Sequence, residues 1–107
     1  MTAPARPLSQ MPEAALRGVR GVLTDIDDTL TRDGALDPAA AAALAALRAA
    51  QLPVIAITGR PQGWSEPFAR SWPVAAIVAE NGGVALIPAG QRLAIEYAQD
   101  AATRARN

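Results

Sequence analysis

The sequence predicts an α/β fold with a parallel sheet, and three observations carry that expectation. Three short apolar runs, at 21–25, 52–60 and 73–83, each break off into polar residues, the pattern of buried parallel strands. The two stretches between them read as helices, each with a proline at or near its first turn. Strand, helix, strand, helix, strand with short links is the order of right-handed crossover units.

Taken in order, residues 1–18 read as an N-terminal arm rich in Pro, Ala and Arg, with a short helix at 12–17 closed by Gly18. The GVLTD run is the first strand. TRDGALD places a turn at Asp33-Gly34, and Asp37-Pro38 supplies an N-cap followed by proline at the first helical position. The alanine-rich stretch 38–50 is then helix, with Leu44 and Leu47 on one side. LPVIAITGR is the second strand. A helix from Pro61 through Trp72 follows, and Pro67 within it predicts a kink or a late start. Trp64, Phe68 and Trp72 recur at helical spacing and read as core. PVAAIVAENGG is the third strand, and VALI and RLAIEY around PAGQ read as a β-hairpin. Residues 19–97 thus form the α/β domain, and 98–107 a polar tail, helical or frayed, with Asp100 and Arg104 at i,i+4 spacing.

The chain has 107 residues and zero formal net charge. One domain is expected, and the charge balance gives no case for nucleic acid or an anionic membrane as partner. Half the residues are hydrophobic, but many are alanine, so the core should be thin. Cysteine and histidine are absent, which removes thiolate metal sites and the commonest general base. All ten basic residues are arginine. No leader-like or membrane-length apolar segment is visible, so a cytoplasmic setting is the expectation.

In an open parallel sheet, ligands bind beyond the carboxyl ends of the strands. DIDDT, TGR and ENGG lie at three such ends. DIDDTLT resembles the Asp-x-Asp-x-Thr first motif of the haloacid dehalogenase (HAD) superfamily, and TGR its second motif. ENGG is similar to a segment of the C2-capped, IIB-like branch that includes sugar-phosphate phosphatases. The resemblance spans roughly residues 20–97. It implies the amino-terminal part of a three-layer Rossmann-like core, with the three parallel strands in order and the hairpin appended.

The same resemblance implies a phosphate-monoester hydrolase working through an aspartyl-phosphate. Asp25 would be the nucleophile and Asp27 the general acid and base. Mg²⁺ would sit on the Asp25 side chain and the Asp27 backbone carbonyl. Thr58, Gly59 and Arg60 would bind phosphate or substrate, a phosphorylated small molecule. Asp28, Thr29 and Asn81 are supporting candidates, with Asp28 equally readable as local turn capping and Asn81 as a turn residue. Glu80 is readable either as support or as a turn residue.

The family's third motif, a lysine or arginine, and its acidic fourth motif find no match, and the sequence contains no lysine. The chain therefore reads as the front part of such a core, with weak or no activity alone. The alternative is a non-catalytic HAD-like fragment or interaction module. The first strand would lie at a sheet edge, open to self-association or to a complementary fragment through residues 21–24.

Overall fold

The computed structural model describes residues 4–106; positions 1–3 of the arm and Asn107 of the tail lie outside the described residues. The arm contains a 3₁₀ turn at Leu8–Gln10 and a helix, α1, at Glu13–Arg17, with Pro12 as N-cap and Gly18 as C-cap. The strands are β1 (Val22–Asp25), β2 (Thr31–Arg32), β3 (Ala35–Leu36), β4 (Val54–Ile57), β5 (Ala76–Ala79), β6 (Val84–Ala89) and β7 (Arg92–Tyr97). The remaining helices are α2 (Pro38–Ala49), α3 (Gln62–Ser71) and α4 (Ala101–Arg106).

The main sheet has the order β1-β4-β5-β6-β7. The first three strands run parallel, with Val22 beside Val54 and Ile55 beside Ala76. β6 and β7 continue the sheet antiparallel, so the hairpin is joined to the core through β5. This is the partial Rossmann-like α/β architecture that the sequence predicts. The hairpin is tighter than expected, since Ala89 pairs with Arg92 and only Gly90 and Gln91 turn the chain. Gly90 has a φ of 66°, which glycine takes without a Cβ clash.

Local chemistry explains the helices. The Asp37 carboxylate accepts the Ala39 N–H at 2.8 Å, with Pro38 in the first turn. α3 neither starts late nor stops at Pro67. Interior proline ordinarily costs about 3 kcal/mol. Here the aromatic stripe offsets it: Trp64 and Phe68 meet edge to face at 4.8 Å, and Phe68 and Trp72 lie 4.7 Å apart. Trp72 and Ala69 are buried, and Trp64 and Phe68 pack against the core.

One sheet face forms that core. Val54, Ala56, Ile77, Ala79, Val84 and Leu86 are buried there with Leu44 of α2. The opposite face carries Leu23, Ile55, Ile57, Val78 and Ile87, as strand alternation requires. Leu23 is 69% exposed and Ile57 40%. The expected edge position of the first strand is observed among the described residues, where β1 pairs only with β4. No described helix is long and apolar enough to cross a membrane.

Candidate active site

Asp25 is the last residue of β1, and the loop beyond it coils around one carbonyl. The Ile26 C=O accepts the N–H groups of Thr29, Leu30 and Thr31 at 3.1, 2.9 and 3.2 Å, and the Thr31 hydroxyl at 3.3 Å. Ile26 itself is fully buried. This anchored turn holds Asp27 and Asp28 outward. Asp28 adopts a left-handed φ of 58°, which short acids tolerate, and its N–H donates to the Thr31 hydroxyl at 3.1 Å. Asp28 lines a depression under the β2–β3 ribbon with Arg32, Asp33 and Asp37. The Thr29 hydroxyl donates to Asp25 Oδ2 at 3.3 Å.

β4 ends at Ile57, the ladder partner of Asp25, so Thr58 follows directly on the same rim. Thr58 is buried, its N–H donates to the Val78 carbonyl at 2.9 Å, and its Oγ1 accepts the Arg60 N–H at 3.1 Å. The hydroxyl proton of Thr58 is thereby left as the donor that an anion can use. The cap of α3 falls to other residues. Pro61 is its N-cap position, and Glu80 Oε2 accepts the Gln62 N–H at 2.9 Å, satisfying one orphan donor of the first turn.

The third strand's exit is sharply bent: Glu80, Asn81 and Gly82 have φ of 53°, 55° and 97°. The Glu80 N–H donates to the Arg60 carbonyl at 3.0 Å and the Asn81 N–H to the Thr58 carbonyl at 3.2 Å. The two rim loops are thus tied together. A Cβ on Gly59 would sit 2.9 Å from Asn81 Oδ1. An alanine at 59 would therefore displace the Asn81 side chain.

Arg60 closes the rim. Its Nε donates to Asp27 Oδ2 at 3.2 Å and its Nη2 to Asp27 Oδ1 at 3.1 Å, a fork on one carboxylate. Its guanidinium stands 4.8 Å from the centroid of the Trp64 ring. The hydrogen bonds it donates to Asp27, then the charge of that carboxylate, raise the Arg60 pKa above its ordinary value. The sequence alone points Arg60 toward phosphate or substrate and does not reveal Asp27 as its partner. The signal lay in the TGR register, which puts Arg60 beside the first loop only once β1 and β4 are paired. Trp64, four residues on, is the helical neighbour that steadies it.

The structure therefore brings Asp25, Asp27, Thr29, Thr58, Gly59, Arg60 and Asn81 to one rim, and leaves Asp28 turned toward the β2–β3 ribbon. The haloacid dehalogenase-like hydrolase family model matches residues 22–104. The chain belongs to that family. Similar solved structures include a phosphatase of the HAD superfamily from Bacteroides thetaiotaomicron, BT1666, at 16% identity and a TM-score of 0.62, over 85% of this chain and 33% of that one. The HAD subclass IIB sugar phosphatase BT4131 is 25% identical with a TM-score of 0.52, over 69% and 30% of the two chains. A phosphoryl-transfer superfamily structure described for a trigonal-bipyramidal intermediate is 23% identical with a TM-score of 0.54, over 70% and 30%. No curated protein matched the chain. The chain spans about a third of the length of these solved HAD structures.

Proposed function

We propose that this chain carries the nucleophile-bearing part of a Mg²⁺-dependent phosphate-monoester hydrolase acting through an aspartyl-phosphate. The observation that carries this reading is the fork of Arg60 on Asp27 beside the strand-end Asp25 and the buried Thr58. A carboxylate nucleophile, a second carboxylate for proton transfer, a hydroxyl donor and a cation are the groups phosphoryl transfer uses.

An Asp25 oxygen attacks phosphorus, and the bond to the leaving oxygen breaks as Asp27 passes it a proton. Asp27 then takes a proton from water, whose oxygen attacks the same phosphorus, releasing phosphate and restoring the Asp25 carboxylate. Thr58 and Arg60 hold the phosphoryl oxygens. Arg60 must release its fork toward the incoming phosphate before Asp27 hands over a proton.

The donor chemistry fits Mg²⁺ in part. The Asp25 carboxylate and the Asp27 carbonyl are hard oxygens, and Mg²⁺ commonly retains waters beside one or two such ligands. Among the described residues no three acids come together as a cage. When bound, Mg²⁺ would offset the negative charge shared by Asp25 and the phosphoryl group. The proposed substrate is a phosphorylated small molecule, with a sugar phosphate favoured by likeness to a sugar phosphatase.

The sequence contains no lysine, so turnover by the 107-residue chain is expected to be slow. That same feature favours a second reading, a HAD-like module that binds without catalysing. p-Nitrophenyl phosphate with Mg²⁺ separates the two. Slow hydrolysis that vanishes in Asp25→Asn supports the hydrolase; no hydrolysis in either protein supports the module.

A further inference from the structure

The main chain of Arg60 is tied on both sides. Its N–H donates to Thr58 Oγ1 at 3.1 Å, and its carbonyl accepts the Glu80 N–H at 3.0 Å. Asp27 follows the buried Ile26, whose carbonyl anchors the first loop. With both backbones held, the fork between Arg60 and Asp27 opens only by rotation of the two side chains. Solvent reaches both of them, the Nη2 partner being 51% and the carboxylate 42% exposed.

We propose, on the reading that Thr58 and Arg60 receive the phosphoryl group, that Arg60 is an autoinhibitory latch. With the site empty it occupies both oxygens of Asp27, and an incoming phosphoryl anion must take it from that carboxylate before binding. Nε and Nη2 are the groups engaged on Asp27, and they form the edge that a guanidinium offers to phosphate. One contact thus withholds the cation from the substrate and the carboxylate from proton transfer. Asp27 acts as an intramolecular competitor, present at an effective concentration of about millimolar or more. Apparent affinity for an anion then falls in proportion to the fraction of molecules in which the latch is open.

The chemistry of the two partners says what opens it. Thr58 Oγ1 accepts from the Arg60 N–H, so its hydroxyl proton can be donated to an anion that also meets Arg60. A phosphate-monoester dianion brings a second charge and this second contact, neither of which Asp27 supplies to Arg60. It can therefore displace Asp27, whereas a free carboxylate exchanges one ion pair for its like. On the other flank the guanidinium lies 4.8 Å from the centroid of the half-buried Trp64 ring. That ring is braced edge to face on Phe68 at 4.8 Å. A fixed indole beside a movable cation registers the cation's departure.

Inorganic phosphate is titrated into the chain in metal-free buffer at constant ionic strength, so the test requires no turnover. Binding is read from the Thr58 and Gly59 amide signals in ¹⁵N spectra. Wild type, Asp27→Ala, Arg60→Met and the double variant are compared, each checked by circular dichroism to be folded. Asp27→Ala removes the competitor, so it should bind phosphate about fivefold more tightly than wild type. In the Arg60→Met background the same change should gain less than about twofold, because only screened repulsion between Asp27 and phosphate remains. The Trp64 indole signal should move with phosphate in wild type, and should stand already moved in Asp27→Ala before phosphate is added. A gain that is absent, or as large without Arg60 as with it, would overturn the latch and leave the phosphate site standing. No amide shift in wild type or Asp27→Ala up to about 50 mM phosphate would overturn the latch and the phosphate site together.

Discussion

Ile77, Val84 and Leu86 are each at most 1% exposed on the β5–β6 flank of the sheet, while Leu23 on the β1 flank is 69% exposed. The β5–β6 flank closes locally, because the tight hairpin folds β7 back on β6 and α3 lies over both β5 and β6. Among the described residues, β1 has β4 beside it on one side only. The rim straddles this divide. Thr58, Gly59 and Asn81 follow β4 and β5, which are paired on both sides, while Asp25 ends β1 and Asp27 lies in the loop after it.

That contrast can be broken first by truncation. Leu86→Ala should lower stability by about 2–5 kcal/mol. Leu23→Ala should change it by no more than about 0.5 kcal/mol, because that side chain is largely exposed. Urea unfolding followed by circular dichroism measures both. Equal losses would mean that the two flanks are equally packed.

The next test is at the loop contact. Gly59→Ala forces a methyl to within 2.9 Å of Asn81 Oδ1, and overpacking of this kind costs about 1–3 kcal/mol. Asn81→Ala should recover much of that loss if the clash is its cause, which a double-mutant cycle reads directly.

The Arg60–Asp27 pair is exposed, so its test is activity. Arg60→Lys keeps the charge but loses the planar fork. Hydrolysis should drop by about tenfold or more with thermal unfolding unchanged, whereas loss of the proton-transfer group in Asp27→Asn should cost about 10²–10⁴-fold.

The parts of this arrangement that the sequence reveals are those with a local signal. Apolar runs ending in Asp25, Thr58 and Glu80 mark both the strands and the rim, and Asp37-Pro38 marks the start of α2. β2 and β3 were legible only as the Asp33-Gly34 turn, because two residues per strand are too few to show alternation. The Arg60–Asp27 fork joins residues 33 apart, and nothing local encodes a contact that exists only after β1 and β4 align. The close approach of Asn81 to Gly59 likewise joins two loops that meet only once β4 and β5 are paired, so no local signal encodes it.

The smallest effect concerns α4. The Thr103 N–H donates to Asp100 Oδ1 at 2.7 Å, and this bond, followed by that of the Thr103 side chain, holds the Asp100 carboxyl below its ordinary 3.8. The folded form favours the charged carboxylate, so its contribution is present above the ordinary value and lost as pH falls through the lowered one. The amide signals of Ala101 to Thr103 should shift toward coil on acidification below pH 3.8, and those of β6 should not. Arg104, which lies over the Tyr97 ring at 3.3 Å, should leave the ring in the same range.

The most direct measurement is chemical trapping of the intermediate. The chain is mixed with p-nitrophenyl phosphate and Mg²⁺, quenched in acid and reduced with borohydride, which converts an acyl phosphate to an alcohol that peptide mass spectrometry can place. Reduction at Asp25 alone is expected, and none in Asp25→Asn. Reduction at Asp27 or Asp28, or hydrolysis that continues in Asp25→Asn, would contradict it.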